Sequence, residues 1–86
     1  MQVIKVTGTG LVFTGHVAVD SLTLVPAAAD ATITLDDSLD GSGDDKGGAK
    51  TASTSSIETK MYGQRFSIGI YATLSGVDAV AYIYIR

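Results

Sequence analysis

Over 66–74, and again over 80–84, apolar side chains recur at every second position. In the first run Phe66, Ile68, Ile70, Ala72 and Leu74 fall on one face, and Ser75-Gly76 then turns the chain into Ala79–Arg86. A period of two belongs to a strand, because successive side chains of an extended backbone point to opposite faces. No window of the chain repeats at the helical period of about 3.6. The final run is apolar on both faces, with Val80, Tyr82 and Tyr84 on one and Ala79, Ala81, Ile83 and Ile85 on the other. A strand of that kind is covered on both faces. In a two-layer domain one cover is the opposite layer, so the second must come from another subunit or a partner surface. We expect Ile83 and Ile85 in the core and Val80, Tyr82 and Tyr84 toward the other chain. The pleat fixes the alternation but leaves the reverse assignment open. Tyr71 joins these three as a candidate interface residue, because tyrosine is enriched at protein contacts.

The rest of the chain reads as further strands. Gln2–Thr7 is a short opening strand, with Val3, Lys5 and Thr7 opposite Ile4 and Val6. After a turn at Thr7–Gly10, Leu11, Phe13, Val17 and Val19 share one face of a strand running to Val19 and interrupted at Gly15. Asp20-Ser21 is a turn or a bulge, and Leu22–Val25 is a strand ended by Pro26. Pro26–Asp30 is a hairpin connection, and Ala31–Leu35 alternates with Ile33 and Leu35 inward. Asp36 to Gly48 is a mobile loop by composition, rich in Asp and Gly. Ala49–Thr59 holds two short strands or one bent one, with Ile57 and Met61 inward, and Tyr62-Gly63-Gln64 is a turn. Short strands separated by Gly and Asp turns make an all-β domain. We expect residues 1–86 to form one small antiparallel β-sandwich, jelly-roll-like, of seven or eight strands.

Composition narrows the function classes. The net charge is −3 and the six Lys and Arg residues are scattered, whereas nucleic-acid binding needs them clustered. Charged residues make up only 17% of the chain, against about 25% in a typical domain. So little charge on a small domain points to apolar surface covered by another chain, hence to a homo-oligomer. Cysteine is absent, so no disulfide staples the fold. The longest uncharged stretch near the C-terminus, 66–77, is short of the roughly 20 residues of a membrane helix. Thr14, Gly15, His16 and Asp20 break any signal-peptide apolar run ahead of Ala27-Ala28-Ala29. We therefore expect neither a nucleic acid nor a membrane as partner.

Three motifs bear on chemistry. Asp36, Asp40 and Gly41 match three positions of an EF-hand loop, but Gly47 stands where the bidentate Glu is needed. A looser calcium cage from Asp36, Asp37, Asp40, Asp44 and Asp45 stays open beside the plain reading of a solvated turn. His16 is the single histidine and lacks companion ligands, so it reads as a polar strand residue. Gly8, Gly10 and Gly15 lack the helix and lysine of a phosphate cradle. With one His and one Glu no acid–base pair in a cleft is legible. We expect no enzymatic activity, no catalytic or metal-binding residue and no cofactor.

From Leu22 onward the chain resembles a group of small phage virion proteins. The likeness rests on Leu22–Val25, the small-residue turn Ala27-Ala28-Ala29-Asp30, the strand Ala31–Leu35 ending in Asp36-Asp37, and a Gly/Ser/Asp loop. The segment Gly69-Ile70-Tyr71-Ala72-Thr73-Leu74-Ser75-Gly76 and the terminal Tyr84-Ile85-Arg86 complete it. The resemblance implies a β-sandwich with a structural role in the virion, as a capsid decoration (cement) protein on the outer capsid surface. The implied partners are the major capsid protein and further copies of the chain, as a trimer. A tail or head-fibre component and a host-glycan-binding module are the alternatives. The glycan reading suffers from aromatics that lie in strands and from the absence of Asn.

Overall fold

The computed structural model describes residues 2–86, which form eight strands and no helix. In chain order these are β1 (Gln2–Val6), β2 (Gly10–Thr14), β3 (Val17–Val25), β4 (Ala31–Asp37), β5 (Asp44–Thr51), β6 (Ile57–Phe66), β7 (Gly69–Ser75) and β8 (Val80–Ile85). They lie in two four-stranded antiparallel sheets, the first β1-β8-β3-β6 and the second β2-β7-β4-β5. The first strand pairs with the eighth, the second with the seventh, the third with the sixth and the fourth with the fifth. The chain is thus one long antiparallel ribbon, closed at the β4–β5 hairpin and rolled up so that successive segments fall in alternate sheets. That is the jelly-roll order, and it is the all-β sandwich expected from the strand pattern.

The ribbon folds over at a corner where both of its strands cross between sheets together. Thr14 pairs with Gly69 on one side of the corner and Val17 pairs with Phe66 on the other, so the register is kept through it. Gly15 takes φ +105°, open chiefly to glycine, and its N–H donates to the Ile68 carbonyl at 2.8 Å. The two long strands expected over 11–19 and 65–74 are each cut here into two. A period-two pattern does not register a fold that carries it from one sheet to the next, because the core face stays the core face on both sides. Ile68, in the corner itself, is 54% exposed instead of inward.

Other departures have equally local causes. Asp20-Ser21 is a bulge: pairing with β6 jumps from Val19↔Gln64 to Ser21↔Lys60. The extra residues on the β6 side include Tyr62 (φ +55°) and Gly63 (φ +75°), so the expected turn at 62–64 is a bulge inside a ten-residue strand. A second bulge between Leu11 and Phe13 turns Leu11 outward while Phe13 packs on the core. Pro26–Asp30 crosses between sheets and joins no hairpin, since β3 pairs with β6 and β8. Most of the 36–48 segment is strand: Asp36 and Asp37 end β4, Asp44–Thr51 is β5, and only 38–43 is turn. Ile57 is exposed at the start of β6, while Met61 packs on the core as expected.

The core lies between the sheets. Val19, Leu22, Leu24, Ile83 and Ile85 from the first sheet meet Ile33, Leu35, Ile70 and Ala72 from the second, with Phe66 at the corner, all buried. Burying each large side chain contributes about 1.5–3 kcal/mol.

Candidate functional site: two outer sheet faces and an acidic hairpin

β8 is a central strand of the first sheet, and its alternation is resolved. Ala81, Ile83 and Ile85 point into the sandwich, while Val80, Tyr82 and Tyr84 stand half-buried on the outer face. The register sets their neighbours. One row across the outer face reads Val3, Tyr84, Ser21, Lys60, and the next reads Lys5, Tyr82, Thr23, Glu58. Val80 lies beside Val25 in the row beyond. Val3 is 49% exposed, so the row it opens carries an apolar side chain at the sheet edge next to a tyrosine. Lys5, Glu58 and Lys60 stand on the edge strands at either side, where Glu58 and Lys60 approach to 4.0 Å, and at one end of the face Asp20, at the β3 bulge, accepts the Arg86 Nε–H at 2.7 Å. The centre of the face thus carries Val25, Val80, Tyr82 and Tyr84 beside Ser21 and Thr23, with the charge at its border. That is the layout of contact surfaces, whose centres lose charge and gain tyrosine. Sequence alone does not single out Val3; its pairing with Tyr84 becomes visible only once the first and last strands are adjacent.

Tyr71 lies elsewhere. It sits on the outer face of the second sheet, in a row that reads Leu11, Tyr71, Asp36, Asp45. The four tyrosine and valine candidates thus divide between opposite faces, three on one and Tyr71 on the other. Tyr71 is covered by the 38–43 turn: a Cβ added at Gly41, which has φ +86°, would come within 2.9 Å of its ring.

The acidic segment does not gather into a cage. Asp37 reaches across to the corner, where its carboxylate accepts the backbone N–H of Ser67 at 3.0 Å, Ile68 at 2.8 Å and Gly69 at 3.3 Å. Those hydrogen bonds, Ser67's first, hold the Asp37 carboxyl below the usual carboxylate range. Asp40 closes its own turn, accepting the Ser42 hydroxyl at 2.5 Å and the Ser42 N–H at 3.0 Å. The Ser42 hydroxyl, then its N–H, likewise lowers the Asp40 carboxyl. Ser38 is buried, and its Oγ accepts the Gly41 N–H at 2.9 Å. Asp36 differs from both. Although on an outward position of β4, it is only 5% exposed, and its Oδ1 has no hydrogen-bond donor. Its cross-strand partner is Asp45. Side-chain hydrogen bonding with Asp45, followed by burial and the Asp45 charge, pushes the Asp36 carboxyl up.

Among the described residues no three His, Cys, Asp or Glu side chains gather where they could hold a metal ion. The looser five-aspartate site thus comes apart into a corner clamp (Asp37), a turn cap (Asp40), an exposed Asp44 and the Asp36–Asp45 pair. His16 is exposed in the corner between β2 and β3, and not within a strand. Gly8 lies in the β1–β2 connection and Gly10 opens β2, with no helix following. No helix among the described residues is long and apolar enough to cross a membrane. No family model, no curated protein and no solved structure matches this chain.

Proposed function

We propose that this chain is a phage virion structural protein, a capsid decoration protein that binds the outer capsid surface and stabilises the shell. The observation that carries the reading is the outer face of the first sheet. Val3, Val80, Tyr82 and Tyr84 present an apolar and tyrosine surface over which no further layer of the described residues packs. Copies pack through that face into a trimer, and the trimer bridges neighbouring major capsid subunits. The role is mechanical: each contact is modest, but a trimer engages several capsid subunits at once, so the second and third contacts form at high effective concentration. The resemblance of residues 22–86 to small phage virion proteins supplies the setting.

A density map of the purified virion tests the role. We expect eight-stranded sandwiches repeated over the outer shell at the symmetry positions of the capsid lattice. Density confined to a tail tip or a single vertex, or no density for the chain in the particle, contradicts the reading.

A further inference from the structure

The buried Asp36 is unexplained by a docking role and is costly as it stands. A carboxyl placed out of water needs a partner for each oxygen, and an ionised one needs a compensating charge. Asp36 has neither: its Oδ1 is unpartnered, and the side chain paired with it across the strands is another aspartate, the exposed Asp45. Two carboxyl groups directly opposite each other on paired strands repel when both are ionised, and one proton between them removes the repulsion.

The remaining charged groups around Asp36 do not relieve the pair. On β5, Asp44 stands opposite Asp37 in the register and Lys46 acts on Asp37. On β7 the neighbour is the Tyr71 ring, which brings no basic group to the pair. In the turn, Asp40 is occupied by Ser42, and on β4 itself Asp37 is occupied by the corner N–H groups. Beside Asp36 in its row stands Tyr71, and the 38–43 turn is seated on the Tyr71 ring through Gly41 and held internally by Ser38 and Asp40.

We propose that Asp36 and Asp45 share one proton, and that this proton latches the 38–43 turn onto Tyr71, so that the turn loosens when the proton leaves while the sandwich stays folded. Asp36 binds its proton more tightly folded than unfolded. The stability it contributes is therefore whole below the ordinary carboxyl value of 3.8 and is lost as pH rises through its raised value. Asp37 has the opposite sign: what it contributes is whole above 3.8 and lost as pH falls through its lowered value. The hairpin end is held best between the two.

Amide hydrogen exchange by NMR on the full chain tests the latch, comparing protection factors at about pH 4, close to the ordinary carboxyl value of 3.8, and at about pH 8, well above it. The informative amides are Gly41 and Ser42, which donate within the turn, with Ile83 in β8 as the internal reference. We expect turn protection to fall about tenfold or more at the higher pH, with Ile83 unchanged and the Tyr71 ring signals moving in step. Asp36→Asn puts an amide donor where the proton was, so the turn should stay protected at both pH values. Asp45→Asn, on the exposed partner, should do the same and decides the matter if the Asp36 variant fails to fold. Equal turn protection at both pH values in the parent protein overturns the proposal, as does an Asp45→Asn variant whose turn still loosens with pH.

Discussion

Gly48 has no room for a side chain: a Cβ there would overlap the backbone carbonyl of Ile33 on the neighbouring strand. Gly48→Ala must push β4 and β5 apart, and we expect a loss of about 1–3 kcal/mol, read from the denaturant midpoint. Asp37 matters for a different reason, since its carboxylate is the acceptor for three N–H groups at the fold of the ribbon. Asp37→Ala should lower the melting temperature by several degrees at neutral pH. The difference from the parent protein should shrink as pH falls well below 3.8, where Asp37 itself loses its charge. A variant that melts alike at neutral and acid pH contradicts the clamp. Alternation alone put Ile83 and Ile85 on the face opposite Tyr82 and Tyr84 but left open which of the two faces the core; in the fold the isoleucines are inside, as expected. Asp37 and Asp36 were not legible, because neighbours with the same composition are divided by contacts that come from β7, β5 and the corner, up to 32 residues away in sequence.

β5 shows how an element forms against its own composition. Its sequence, Asp44–Thr51, is rich in Asp, Gly and Lys and has little strand propensity. Pairing with β4 along Ala31↔Thr51 to Asp37↔Asp44 makes it a strand, and Met61 of β6 fills the space left by Gly47. From composition the whole of 36–48 reads as a dispensable loop; in the fold its second half is a sheet edge. Replacing Gly41–Gly48 with a shorter Gly/Ser link should therefore cost far more than the roughly 0.6 kcal/mol that a doubling of loop length changes. A small change in denaturant midpoint would show that β5 contributes little. The corner segments misled in the opposite sense: 11–19 and 65–74 have one unbroken core face each, and only Gly15 marks where the ribbon bends. The β4–β5 hairpin is also the one pairing between strands consecutive in the chain; the others close progressively longer loops. Local contacts form early. Ile33→Val and Ile83→Val, each costing about 0.5–1.5 kcal/mol, should then separate kinetically, the first slowing folding and the second chiefly speeding unfolding. Equal φ-values at the two sites contradict a hairpin-first order.

At the scale of the whole molecule, the strand pattern and the scarcity of charge carried most of the information. They gave an all-β two-layer domain with an apolar strand needing a second cover, and the rolled ribbon supplies only one. The strand order was beyond reach, because pairing of β1 with β8 depends on residues at opposite ends of the chain meeting. The cover for Val80, Tyr82 and Tyr84 is, in our account, the same face of further copies. An aspartate at Tyr84 would place a charge at that seam, where an unpaired buried charge costs several kcal/mol. It would leave Ile83 and Ile85 in the sandwich core. Sedimentation at micromolar concentration, with circular dichroism on the same samples, is the most direct measurement. The account predicts a parent protein at three times its 8.8 kDa chain mass and a Tyr84→Asp variant at the single-chain mass, both with the same strand spectrum. A parent protein that sediments as a single chain, or a Tyr84→Asp variant that keeps the parent's assembly, contradicts it.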